Sequence, residues 1–208
     1  MVQKINRIKA EEKLKSLGIS VFTPREFRDI FGISANTASP FIKRNLKSGL
    51  FVKLRNNFYI LKDSSPSFYL IANKLYQPSY ISLEKALSHY GIIPEVVYTT
   101  TSITTKPTRE FITPKGSFSY QRIKKSVFTG YGPKRLEGGV VLFAEPEKAL
   151  ADYLYFVDLK KVLLNDRLVL KNINRKRLVK SAKPFKRPGM IRLIKHIYAE
   201  QRKPRTIY

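Results

Sequence analysis

The chain has 208 residues, 43% of them hydrophobic, and carries 40 Lys and Arg against 15 Asp and Glu, a net charge of +25 at pH 7. That length and apolar content exclude a disordered tail and allow one or two packed domains, and zero cysteines exclude disulfides, thiolate zinc sites and cysteine nucleophiles. The charge sits at the ends: residues 1–62 hold 13 basic and 4 acidic side chains, 63–158 hold 11 and 9, and 159–208 hold 16 and 2, which points to a polyanionic partner.

Ile5, Ile8, Leu14 and Leu17 mark a first helix ending near Gly18. Thr23-Pro24-Arg25-Glu26 reads as an N-cap, a proline at the first helical position and a glutamate at the capping-box position. The helix it opens carries Phe27, Ile30 and Phe31 and stops at Gly32. After a turn of helix-turn-helix length, Ser34 can cap a further helix, with Ala38, Phe41, Ile42 and Leu46 on its apolar face and Gly49 at its end. Asn36, Thr37, Ser39, Lys43, Arg44 and Lys47 fall on the other faces. Pro40 costs a backbone bond inside a helix, so either the helix kinks there or it begins late, with Ser39 as cap and Pro40 first. Two short β-rich runs, Phe51–Leu54 and Phe58–Leu61, then flank Arg55-Asn56-Asn57, a hairpin signal. Three helices and a hairpin predict a winged helix-turn-helix domain over 1–62. Its candidate DNA contacts are the polar residues of the third helix just named, together with Lys53, Arg55 and Asn56 of the wing.

The polar stretch 62–67 marks a boundary. Beyond it, helices are expected over Phe68–Tyr76 and, capped by Ser82, over Leu83–Tyr90. Thr99–Thr105 reads as a strand, Glu110–Thr113 and Ser117–Tyr120 as a hairpin around Pro114-Lys115-Gly116, and Val140–Phe143 as another strand. Gly130-Tyr131-Gly132-Pro133 reads as a turn. Glu145-Pro146-Glu147 opens a helix running to Val157. Helices over Arg175–Lys183 and about Pro188–Gln201 follow, the start of the last blurred by Gly189. The fold class is therefore α+β: the winged helix, then a mixed α+β domain over 67–208 whose final part, 159–208, is basic and helical.

The second domain resembles the AbiEi-type antitoxins of type IV toxin–antitoxin systems. The resemblance rests on Tyr80-Ile81-Ser82-Leu83-Glu84-Lys85-Ala86-Leu87-Ser88-His89-Tyr90-Gly91, Ile93-Pro94-Glu95, Thr101 to Arg109, Phe128-Thr129-Gly130-Tyr131 and Ala144 to Tyr155. Their order behind a winged helix covers roughly residues 10 to 160. The resemblance implies a regulator that binds inverted repeats in its own promoter and represses transcription. It also implies antitoxin activity against a nucleotidyltransferase-like toxin, with the toxin or the toxin's RNA substrate as a further partner. A winged-helix regulator with no toxin partner is the alternative.

Catalysis is not expected. Glu145, Glu147 and Asp152 read as acids at a helix start rather than a metal site, since no His or Cys joins them. His89 and His196 lie in no ligand-like motif, and there is no phosphate-binding glycine loop. No metal and no cofactor is expected. With no run of about 18 apolar residues and no signal-peptide pattern, the expectation is a cytoplasmic protein without a membrane partner. Lys171, Arg175, Lys176, Arg177, Lys180, Lys183, Lys186 and Arg187 form a second dense basic cluster, read as a surface for DNA, RNA or an acidic protein.

Overall fold

The computed structural model describes residues 5–200 of the chain as a mixed α+β protein. Residues 5–61 build a small core of their own. Helix α1 (Arg7–Ser16) is capped by Asn6, whose side-chain oxygen accepts from the Lys9 amide at 2.8 Å. Helix α2 (Pro24–Phe31) starts as its sequence dictates. The Thr23 hydroxyl accepts from the Glu26 amide, Glu26 accepts from the Thr23 amide, and Gly32 closes the helix at φ 60°. Helix α3 (Ala35–Lys47) and strands β2 (Phe51–Arg55) and β3 (Phe58–Leu61) follow. The two-residue strand β1 (Val21–Phe22), too short to show in the sequence pattern, completes an antiparallel sheet of order β1-β3-β2. Phe22, Phe27, Phe41 and Phe51 fill the space between sheet and helices, with ring centroids 5.0–6.4 Å apart.

Pro40 does not delay α3. The helix begins at Ala35, because Ala38 in its first turn is buried in this core and donates its amide to Ser34. Pro40 itself is exposed, so the amide it lacks leaves only the carbonyl of exposed Asn36 unmatched, where water can reach it.

The second unit is a six-stranded mixed sheet. After α4 (Phe68–Leu75) come β4 (Ser79–Ile81), α5 (Leu83–His89), β5 (Thr100–Thr104), β6 (Arg109–Thr113), β7 (Gly116–Arg122), β8 (Tyr131–Leu136) and β9 (Gly139–Ala144). Then α6 (Pro146–Asp158), α7 (Arg175–Ala182) and α8 (Pro188–Glu200) follow; Gln201, the expected end of the last helix, lies outside the described residues. The strand order is β6-β7-β5-β4-β9-β8, with β4/β9 and β5/β7 parallel and the other pairs antiparallel. The expected turn at 130–133 is instead the start of β8: Tyr131, Gly132 and Pro133 pair with Ala144, Phe143 and Leu142. A proline is tolerated there because β8 is the edge of the sheet. Gly189, which blurred the start of α8, is required by its neighbour. A Cβ at that position would lie 1.7 Å from the Asp158 carboxylate, which also pairs with Arg187.

The segments from 80 to 155 meet in one buried network. The Asp152 carboxylate accepts from the Tyr80 and Ser82 hydroxyls, both at 2.9 Å, and lies 2.6 Å from the Lys148 ammonium, which donates to the Val127 carbonyl. Thr101 donates to the Ser82 carbonyl and accepts from the Lys85 amide. Burial pushes the Asp152 carboxyl up, against the opposing pull of Lys148 and the two hydroxyls. On the other side of the sheet, the Tyr120 hydroxyl donates to Ala72 of α4.

The two units share a seam. Val21, Leu54 and Ile60 belong to the larger core rather than to the aromatic one. Glu26 of α2 forms an ion pair with Lys74 of α4. Among the described residues, no helix is long and apolar enough to cross a membrane.

Candidate nucleic-acid interface

Helix α3 keeps its apolar residues inward by spacing alone. Ala38, Phe41 and Ile42 are buried, and Asn45 joins them by donating its side-chain amide to the Phe41 carbonyl at 2.9 Å. What remains outside is Asn36, Ser39, Pro40, Lys43, Arg44 and Lys47, all exposed. Asn36, Ser39, Lys43 and Lys47 recur at intervals of three or four residues, so they form one stripe along the helix. Thr37 is half-buried, and its hydroxyl lies 3.0 Å from that of Ser34. No ion pair with an acid ties down Lys43, Arg44 or Lys47 among the described residues. The stripe is therefore free to meet an anionic surface.

The hairpin turns at Asn56-Asn57, with Asn57 in the left-handed region at φ 65°. Lys53 and Asn56 are exposed. Arg55 is not. Its guanidinium points back into the seam, donates to the Leu75 carbonyl at 2.5 Å, and lies 4.3 Å from the Phe58 ring centroid and 4.7 Å from that of Phe111. The cause is local. Strict alternation would place Lys53 and Arg55 on one face, but the register of β2 against β3 shifts between them, and the bulge re-aims Arg55. Arg55 therefore leaves the set of candidate contacts and becomes a bond between the units.

The second basic cluster is held on the outside of α7 and the segments beside it. Leu178 and Ala182 are buried beneath it, while Lys171, Arg175, Lys176, Arg177, Lys180, Lys183 and Lys186 are exposed. Arg175 lies over the Tyr198 ring at 5.2 Å, and Arg187 is partly withdrawn by its pairing with Asp158. The helix is started by Asn174, whose oxygen accepts from the amides of Lys176 and Arg177. The Asn174 amide in turn donates to Glu147 at 3.1 Å.

Of the acids near 145–152, Glu147 and Asp152 have structural partners, while the Glu145 side chain makes no cap bond. Glu145 precedes the first residue of α6, Glu147 anchors the start of α7, and Asp152 is enclosed with Lys148. His89 packs on Phe143 with centroids 4.9 Å apart. Burial, then nearby Lys134, lowers its pKa from the ordinary value. His196 is exposed on α8. Compared with known proteins, the chain matches no family model and no curated protein.

Proposed function

We propose that this chain is a DNA-binding antitoxin and transcriptional autorepressor of the AbiEi type. On this reading residues 1–62 form a winged helix that docks α3 in the major groove of a promoter inverted repeat and lays the hairpin along the backbone. The observation that carries the DNA-binding part is the exposed stripe Asn36, Ser39, Lys43 and Lys47, with Arg44 beside it, on a helix whose opposite face is fixed in an aromatic core. Asn, Ser, Lys and Arg are the side chains that read base edges, and a rigid support holds them in register. On this reading exposed Lys53 and Asn56 touch phosphate, and contacts of that kind position without specifying.

The antitoxin part rests on the resemblance of residues 80–155 to that family, whose members counteract a nucleotidyltransferase-like toxin. The convergence of those segments on the Tyr80–Ser82–Asp152–Lys148 network makes them the scaffold of the second unit. The basic face of α7 is then the surface offered to the toxin's RNA substrate or to the toxin.

The test is a gel shift on the DNA upstream of the chain's own gene, paired with co-expression beside the neighbouring toxin gene. The double variant Lys43→Ala/Arg44→Ala should lose specific binding, at about 1–3 kcal/mol for each base contact removed. Binding should weaken with salt at a slope of about −0.9 per neutralised phosphate. Unchanged binding by the double variant would overturn the DNA assignment. Failure of the full chain to rescue growth would overturn the antitoxin assignment alone.

A further inference from the structure

The second unit also holds a cleft of about 560 Å³ between the β5–β7 part of the large sheet and the ends of α5 and α6. Its lining contrasts with the rest of this cationic chain. Glu110 of β6 stands opposite Ser119 of β7, and Ser119 stands opposite Thr101 of β5, so the three side chains form a row across one face of the sheet. Gln121 follows Ser119 on the same face, and Glu84, in the first turn of α5, lines the same cleft, as does Thr99. Lys161 stands at the rim.

Two features set this cleft apart from a merely acidic surface. Ser119 is more than nine-tenths buried, lines the cleft, and its hydroxyl has no hydrogen-bond partner among the described residues. Neither Glu84 nor Glu110 has a cation within ion-pair distance among those residues, although Lys161 borders the same space. Burial pushes the Glu84 carboxyl above its ordinary value, opposed only by its own backbone amide. A helix start accounts for an acid at Glu84, but it accounts for neither Glu110 nor Ser119, which lie on strands.

We propose that this cleft receives an arginine or lysine side chain from a protein partner. The cation would sit between Glu84 and Glu110, with the Ser119 hydroxyl and the Gln121 carbonyl oxygen accepting its remaining N–H groups. The surroundings favour a side chain carried on a peptide over a free amine. Tyr98 and Leu163, chain neighbours of the lining residues, and Ile112, two residues beyond Glu110 on β6, are 88%, 90% and 88% exposed and offer apolar surface to the flanking residues of such a segment. The inference is independent of DNA binding by α3.

The experiment is calorimetric titration of the full chain with N-acetyl-Leu-Arg-Leu-amide, the same peptide carrying citrulline in place of arginine, and agmatine. The arginine peptide should bind, and the neutral citrulline peptide should bind about tenfold more weakly or worse. Glu84→Gln and Glu110→Gln should each lose about tenfold for the arginine peptide, with thermal unfolding unchanged. Glu110 is an exposed residue of the edge strand β6, so its variant tests the site even where Glu84→Gln fails to fold. Equal binding of the arginine and citrulline peptides, undiminished binding by Glu110→Gln, or no binding of the arginine peptide overturns the proposal. Agmatine binding as tightly as the peptide overturns the protein source in favour of a free amine.

Discussion

Replacing Arg55 by Ala should destabilise the fold while sparing the DNA binding proposed for α3, the reverse of the outcome for Lys43 and Arg44. The structure sets the size of the effect. The variant loses a charged donor to the Leu75 carbonyl and leaves that carbonyl short of a partner, a loss of about 1.5–3 kcal/mol. It also loses two ring faces, Phe58 and Phe111, at about 0.5–1 kcal/mol each for a partly exposed site. The sum is about 2.5–5 kcal/mol, which for a chain of this length lowers the melting temperature by roughly 5–20 °C. Arg55→Lys should recover little, because an ammonium lacks the planar fork that donates and stacks at once. Thermal unfolding followed by circular dichroism gives the first quantity, and fluorescence anisotropy with a promoter duplex gives the second. If Arg55→Ala unfolds like the parent yet binds every duplex more weakly, Arg55 touches phosphate and the inward placement is wrong.

Lys148→Met strands the carboxylate of Asp152 in the interior and should cost about 3–5 kcal/mol in urea unfolding; Lys148→Met/Asp152→Leu should recover part of that, because no charge is then left unpaired. Gly189→Ala should cost about 1–3 kcal/mol by forcing Asp158 away from the start of α8, visible as a lower urea midpoint with helix content retained. Acidification should weaken the seam through Glu26. Burial raises its carboxyl, but Lys74 and Thr23 outweigh burial and hold it below the ordinary 4.5. A depressed carboxylate pKa contributes stability above 4.5 that is lost as pH falls through the folded value. The difference in stability between the parent and Glu26→Gln should therefore shrink below pH 4.5, and a difference that grows on acidification would contradict the pairing.

What the sequence discloses depends on how local the determining contact is. The start of α2 was legible because a capping box is complete within Thr23 to Glu26. The outer stripe of α3 was legible because burial at 38, 41 and 42 fixes which residues face out. Pro40 left two helix starts open because its cost depends on exposure, which a single helix does not reveal; the start after Ser34 is the one found. Arg55 misled because one bulge reverses the side-chain alternation, and the bulge depends on how β2 meets β3. The strand at 131–136 was hidden because Gly and Pro signal a turn unless an edge position absorbs them. The acidic cleft had no sequence signal. Glu84, Glu110 and Ser119 come from three elements, and only the pairing of β5, β6 and β7 brings them together.

The two oxygens of Glu26 are divided between the units. Oε2 accepts from the amide and hydroxyl of Thr23, where α2 begins, while Oε1 meets Lys74 on α4. Helix α2 leads through Gly32 directly into α3. One carboxylate thus links the entry of the two-helix element to the scaffold of the other half, beside a cavity of about 400 Å³ that Lys74 and Leu70 also line. Such a link obeys reciprocity. If a duplex on α3 favours one arrangement of α2 against α4 by some factor, any molecule that prefers the same arrangement gains affinity on DNA by that factor. Operator occupancy and partner occupancy of this chain would then be coupled variables, and Glu26→Gln, which keeps a capping side chain but removes the charge, is the change that would separate them.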